Sequence, residues 1–137
     1  MARSHEAYVD TSALIALVDR ADQHHARFRR LFAKPPRLVT TTLVLAEGHS
    51  WFLKKYGRER ALYFLATIEE NTSLSVLAAG PADVTAGLKM MRRFTDQDLT
   101  LVDAIGLHVM SVRKSARCWS SDFHLGLTGV PLAIHES

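Results

Sequence analysis

Four carboxylates in this chain stand where a charge needs a reason. Asp10 follows the apolar run "AYV" and precedes "ALIALV". Glu47 lies within "TTLVLAEGHSWFLKKYG", where helical spacing puts it on one inward face with Leu43, Val44 and Trp51. Asp103 shares a helical face with Leu99, Gly106 and Leu107, and Asp122 closes Ser120-Ser121-Asp122 after the apolar "ARCW". An ionised carboxylate taken out of water and left unpaired is costly, so each group calls for a cation, a proton or a hydrogen-bond network. A fold that gathered all four would have to relieve their mutual repulsion by protonation or by a bound cation. Oxygen donors with few thiols or imidazoles nearby favour hard ions, Mg²⁺ or Mn²⁺, over zinc. Such a site binds phosphate oxygens, activates water and stabilises the leaving oxygen of a phosphodiester.

Each acid also has a structural alternative. Asp10 has the residue type and place of a helix N-cap, although Thr11 and Ser12 are also available for that task. Glu47 would serve as a hydrogen-bonded structural glutamate. Thr100-Leu101-Val102-Asp103 has capping-box spacing, and Asp122 suits a turn or a cap.

The elements that must position these acids alternate. Residues 7 to 9 read as a strand that runs straight into a buried helix, and "DQHHARFRRLFAK" is an amphipathic helix closed by Pro35-Pro36. "RLVTT" is a β-branched strand, followed by a helix over 42 to 56 that stops at Gly57. A further helix, "RERALYFLATIEEN", leads to the strand "TSLSVLAA", and Pro81 opens a helix running to about Phe94. After the polar "TDQD" come the helix "LTLVDAIGLHVMSVRKS", the strand "ARCWSS", a turn or short helix "DFHLGLTG" and a last strand "VPLAI". Strands alternating with helices imply a mostly parallel sheet covered on both faces. Open sheets of that kind place ligands beyond the carboxyl ends of their strands, where these acids fall.

With 137 residues, 47% of them hydrophobic, the chain reads as one domain, 1–137, with a real core. No apolar run reaches the roughly 20 residues of a membrane span, and "MARSHEAYVD" lacks the apolar stretch of a signal peptide, so the expectation is a soluble cytoplasmic protein without a membrane partner. A single cysteine, Cys118, excludes an internal disulfide and a Cys-rich zinc site. His24, His25, His49, His108 and His124 show no zinc-binding spacing and read as surface or packing residues, while Trp51 and Trp119 read as core. The net charge of +3 comes in groups, among them Arg27, Arg29, Arg30 and Lys34, then Lys54, Lys55, Arg58 and Arg60. Such groups suit a polyanion or, more plainly, a solvated helix surface.

"YVDTSALIALVD", "TTLVLAEGHSW", "DLTLVDAIGLHVM" and "SSDFHLGLTGV", in that order, resemble the PIN domain family, in particular its VapC-type toxin ribonucleases. The resemblance implies a three-layer α/β/α sandwich and a divalent-metal-dependent endoribonuclease, with Mg²⁺ or Mn²⁺ held by Asp10, Glu47, Asp103 and Asp122. It places Thr11, Ser12, Asp98 and Ser120 as auxiliary residues, and implies an RNA substrate, frequent homodimers and, for the toxin branch, a cognate antitoxin. A second register, with Phe123 on the family's aromatic position, would put Ser120 at the fourth acidic place. The His124 to Gly129 spacing agrees with Asp122 instead. Two other readings stand beside the toxin: a PIN nuclease of RNA processing or decay outside any toxin–antitoxin pair, and a non-catalytic PIN-like module that binds RNA or protein.

Overall fold

The computed structural model describes residues 5–135. Its first half unit is β1 (Ala7–Val9), α1 (Thr11–Val18), α2 (His25–Ala33) and β2 (Leu38–Thr41). The chain continues through α3 (Thr42–Tyr56), α4 (Arg58–Glu70) and β3 (Leu74–Leu77), then α5 (Pro81–Arg93), α6 (Leu101–Arg113) and β4 (Arg117–Trp119). A 3₁₀ turn at Phe123–Gly126 and another at Ala133–His135 follow.

The sheet order is β3-β2-β1-β4, and every pairing is parallel. Strand alternation divides the core. Ala7, Val9, Leu38 and Trp119 face α1 to α4, with Phe28, Phe52 and Phe64 behind them. Tyr8, Val39 and Cys118 face the other way, onto α5 and α6 through Ile105, Leu107 and Met110. The result is the expected three-layer α/β/α sandwich. Phe52 and Phe64 stack at 5.0 Å between centroids, and Gly48 lets α3 approach α4 because a Cβ there would run into the Phe64 ring. Trp119 meets Phe32 edge-on at 4.8 Å, which makes it the core residue its apolar neighbours suggest.

From β1 the chain steps outward to β2 and β3, then returns to lay β4 on the opposite side of β1. The topology therefore reverses between β1 and β4, and such a switch point opens a crevice at the carboxyl ends of the two strands. Asp10 follows β1 and Ser120 follows β4, so the sheet order brings together residues 110 positions apart.

Two expectations need correction. "VPLAI" does not form a strand. Only Leu132 bridges Cys118, and the chain then turns into 3₁₀ geometry. Pro131 accepts from the Cys118 amide at 2.9 Å but has no N–H of its own, so the ladder cannot propagate. Nor do Thr11 and Ser12 cap α1. Asp10 holds the N-cap position, with extended backbone and no side-chain capping bond, while the Ser12 hydroxyl turns back to it. Among the described residues, no helix is long and apolar enough to cross a membrane.

Candidate metal centre

Asp10 is the buried foundation of the site. Its Oδ2 accepts from the Ser120 hydroxyl at 2.9 Å and from the Ser12 hydroxyl at 3.1 Å, and the two hydroxyls lie 3.1 Å apart. Ser12 Oγ also accepts from the Ser121 amide, and Ser120 Oγ from the Asp122 amide. These bonds fasten the start of α1 to the loop after β4. Burial pushes the Asp10 carboxyl up to about 6, against the pull of the Ser120 hydroxyl, the Thr11 amide and Ser12. The neighbouring Asp103 charge pushes it in the same direction.

Asp103 combines the two roles its sequence allows. Its amide donates to Thr100 Oγ1 at 3.1 Å and its Oδ2 accepts from the Thr100 amide at 3.3 Å, the reciprocal pair of a capping box. The carboxylate is nevertheless buried at the crevice. Desolvation and the Asp122 charge raise its pKa, while the Thr100 bonds and His124 oppose the rise.

Asp122 is half-buried and starts the 3₁₀ turn, where its Oδ1 accepts from the His124 amide at 3.0 Å and lies 2.9 Å from His124 Nδ1. Ligand atoms of Asp103, Asp122 and His124 all lie within 4.8 Å of one another. His124, expected from its spacing to be a surface or packing residue, therefore joins the site. The signal for it was Asp122-x-His124, which in a tight turn folds the imidazole back onto the carboxylate.

The other expected residues are placed unequally. Thr11 is buried beside Asp10, and its Oγ1 has no partner. Glu47 is half-buried on α3 and lies outside the 4.8 Å group, with no hydrogen-bond or ion-pair partner among the described residues. Its expected inward environment is thus only partly realised. Asp98 is exposed in the loop before α6 and lies outside the 4.8 Å group. Ser120 contributes as a hydroxyl donor to Asp10, and Asp122, not Ser120, supplies the carboxylate of that loop.

Two carboxylates and an imidazole converge; the buried Asp10, outside that 4.8 Å group, is near enough for the Asp103 charge to act on it, and beside it lies an orphaned buried hydroxyl. This donor set fits a divalent cation, because the ion would offset the desolvation and, after it, the repulsion that raise Asp10 and Asp103. The imidazole is a departure from the oxygen-only set expected from sequence.

The model of the PIN domain matches residues 7–125. Several solved structures share the fold. VapC20 of Mycobacterium tuberculosis, described as a sarcin-ricin loop cleaving toxin, is 24% identical, with a TM-score of 0.82 over 90% of this chain and 95% of that one. A toxin–antitoxin complex from Klebsiella pneumoniae is 18% identical, with a TM-score of 0.62 over 93% and 95% of the two chains. VapBC2 from Rickettsia felis, bound to a DNA fragment from its promoter, is 12% identical with a TM-score of 0.62 over 93% and 96%. No curated protein sequence matches this chain. The family match takes in β1 with Asp10, α6 with Asp103 and the 3₁₀ turn with Asp122 and His124, and on it the chain belongs to the PIN domain family.

Proposed function

We propose that this chain is a divalent-metal-dependent endoribonuclease and the toxin of a toxin–antitoxin pair. The observation that carries the nuclease reading is the Asp103, Asp122 and His124 group within 4.8 Å, with the buried Asp10 carboxylate electrostatically coupled to Asp103. Asp103 and Asp122 would hold the ion, with Asp10 and Glu47 as further carboxylates. When bound, it supplies Lewis-acid polarisation of a phosphate oxygen and a more acidic water.

The chain's own residues do the rest. Ser12 and Ser120 lock the orientation of Asp10 by donating to Oδ2. His124 turns Asp122 through its Nδ1 and amide contacts. The Thr100 cap holds Asp103 at the start of α6. Phe123, 63% exposed and stacked on His124 at 4.2 Å, offers a ring against which an unpaired base would stack. Mn²⁺ suits the mixed oxygen and nitrogen donors better than Mg²⁺.

The toxin reading is supported by the descriptions of the similar structures, which include a toxin and two toxin–antitoxin assemblies. With it go an antitoxin partner, a homodimer and a cytoplasmic site of action. The test is incubation of generic RNA with the purified chain, freed of any bound partner and supplied with Mn²⁺. Cleavage should appear, and should be lost in Asp122→Asn with the fold retained. Intact RNA after that treatment would overturn the nuclease reading. A small DNA-binding protein encoded directly upstream and blocking cleavage would bear out the toxin assignment.

A further inference from the structure

Away from the carboxylates, a cavity of about 580 Å³ opens between α1, α2 and α4, within the size range of pockets that take small ligands. Arg20, His25, Arg29, Arg60 and Tyr63 line it, and no acidic side chain does. Leu17 and Val18, at the last turn of α1, form its apolar side. These arginines come from separate places in the sequence: Arg20 follows α1, Arg29 lies on α2 and Arg60 on α4.

Arg20 and Arg29 are exposed and have no ion-pair partner among the described residues. That contrasts with Arg113, which grips Glu6 with two nitrogens, and with Arg27, which is tied to the Ala133 carbonyl at 3.0 Å. Arg60 lies over the Tyr56 ring at 4.6 Å, so its guanidinium plane is already oriented. His25 is held by its Nδ1 at 2.7 Å from the Ala16 carbonyl, which can only accept, so that nitrogen carries the proton. Tyr63 is 61% exposed.

We infer that this pocket is a second RNA subsite, taking a backbone phosphate on Arg20, Arg29 and Arg60 and stacking an unpaired base on Tyr63. Guanidinium groups beside an open aromatic ring, one of them already held over Tyr56, are a combination that suits single strands. The pocket is also joined to the candidate metal centre by one rigid element: α1, capped at its start by Asp10, ends at Val18 in the pocket wall, about 12 Å on at 1.5 Å per residue. The inference rests on the nuclease reading for its substrate, but its test does not depend on cleavage.

The test measures binding of a short unstructured oligoribonucleotide to the metal-free protein across a salt series. The Arg29→Ala/Arg60→Ala variant should bind about tenfold or more weakly. Its log–log salt slope should fall by about 0.7, the share of the one phosphate that the pocket neutralises. Arg29→Lys/Arg60→Lys should recover part of the affinity, and unchanged thermal melting would show that the fold is kept. RNA affinity and salt slope equal to the wild type would overturn the inference. So would retained RNA affinity with lost binding of poly-glutamate, which would assign the pocket to an acidic protein partner. Arginine-dependent RNA binding by a protein that cleaves nothing with Mn²⁺ would uphold the subsite while removing the nuclease.

Discussion

Replacing Asp10 with asparagine should stabilise the metal-free protein at neutral pH, although it removes a carboxylate from the heart of the site. Burial raises the Asp10 pKa from an ordinary 3.8 to about 6. At about 1.36 kcal/mol per pH unit, the ionised form therefore costs the fold about 3 kcal/mol. Asparagine retains a side-chain oxygen to accept from Ser12 and Ser120 and carries no charge. Its amide N–H groups, however, need partners in a buried site that offers none ready-made, a cost of about 1 kcal/mol, which leaves a net gain of about 2 kcal/mol. For a domain of this size that is a melting temperature about 6 °C higher.

The sign with pH follows from the raised pKa. Between the unfolded value of 3.8 and the folded value of about 6, the native state binds the extra proton, so acidification favours it. The wild-type penalty is complete above about pH 7 and gone below about pH 4. The advantage of the asparagine variant should shrink across that window and vanish or reverse at its acid end. Urea unfolding of both proteins with chelator, from pH 4 to 8, reads the difference and cancels every group they share, Glu6 and its Arg113 pair among them. Mn²⁺ should narrow the gap at pH 7 by stabilising the wild type more. A variant that is less stable than wild type at pH 7, or a difference that does not move with pH, would show that Asp10 is not a strained buried charge.

Three further outcomes follow from the same structure. Asp103→Asn and Asp103→Ala should each lower cleavage by about 100-fold or more, but the alanine variant should melt at about 1 kcal/mol lower stability than the asparagine one, because only asparagine keeps an oxygen for the Thr100 amide. Gly48→Ala should destabilise the chain by about 2 kcal/mol in denaturant unfolding, since the new methyl meets the fully buried Phe64 ring between α3 and α4. Phe123→Ala should raise the KM for single-stranded RNA about tenfold, with Phe123→Trp restoring it and Mn²⁺ affinity unchanged. An unaltered KM would remove Phe123 from substrate contact.

The nature of the site was legible in the sequence because its signals are short-range. A strand followed at once by an acid, an acid at the third position of a helix, and a hydroxyl-x-acid run after an apolar strand are each readable within a few residues. So were the alternation of strands and helices and the capping box of Thr100 and Asp103, because periodicity and end-capping act over one or two turns. What those signals could not carry was convergence. The Ser12 and Ser120 hydroxyls meet on Asp10 only because β4 lies beside β1 across a crossover of about a hundred residues.

Tertiary structure also decided which of the expected residues come together. It turned His124 onto Asp122, left Glu47 half-buried and apart from the group, and kept Asp98 in solvent. It reduced the last expected strand to one bridge, where Pro131 has no hydrogen to donate. It gathered Arg20, Arg29 and Arg60 into one cavity, although they stand far apart along the chain and only Arg29 and Arg60 lie in charged runs. The sequence by itself determined the layers of the fold and the kinds of atom at the strand ends, since burial patterns and residue chemistry are local properties. Which of those atoms come within a ligand's reach was decided by packing, because distances across a sheet depend on strand order and on every side chain between.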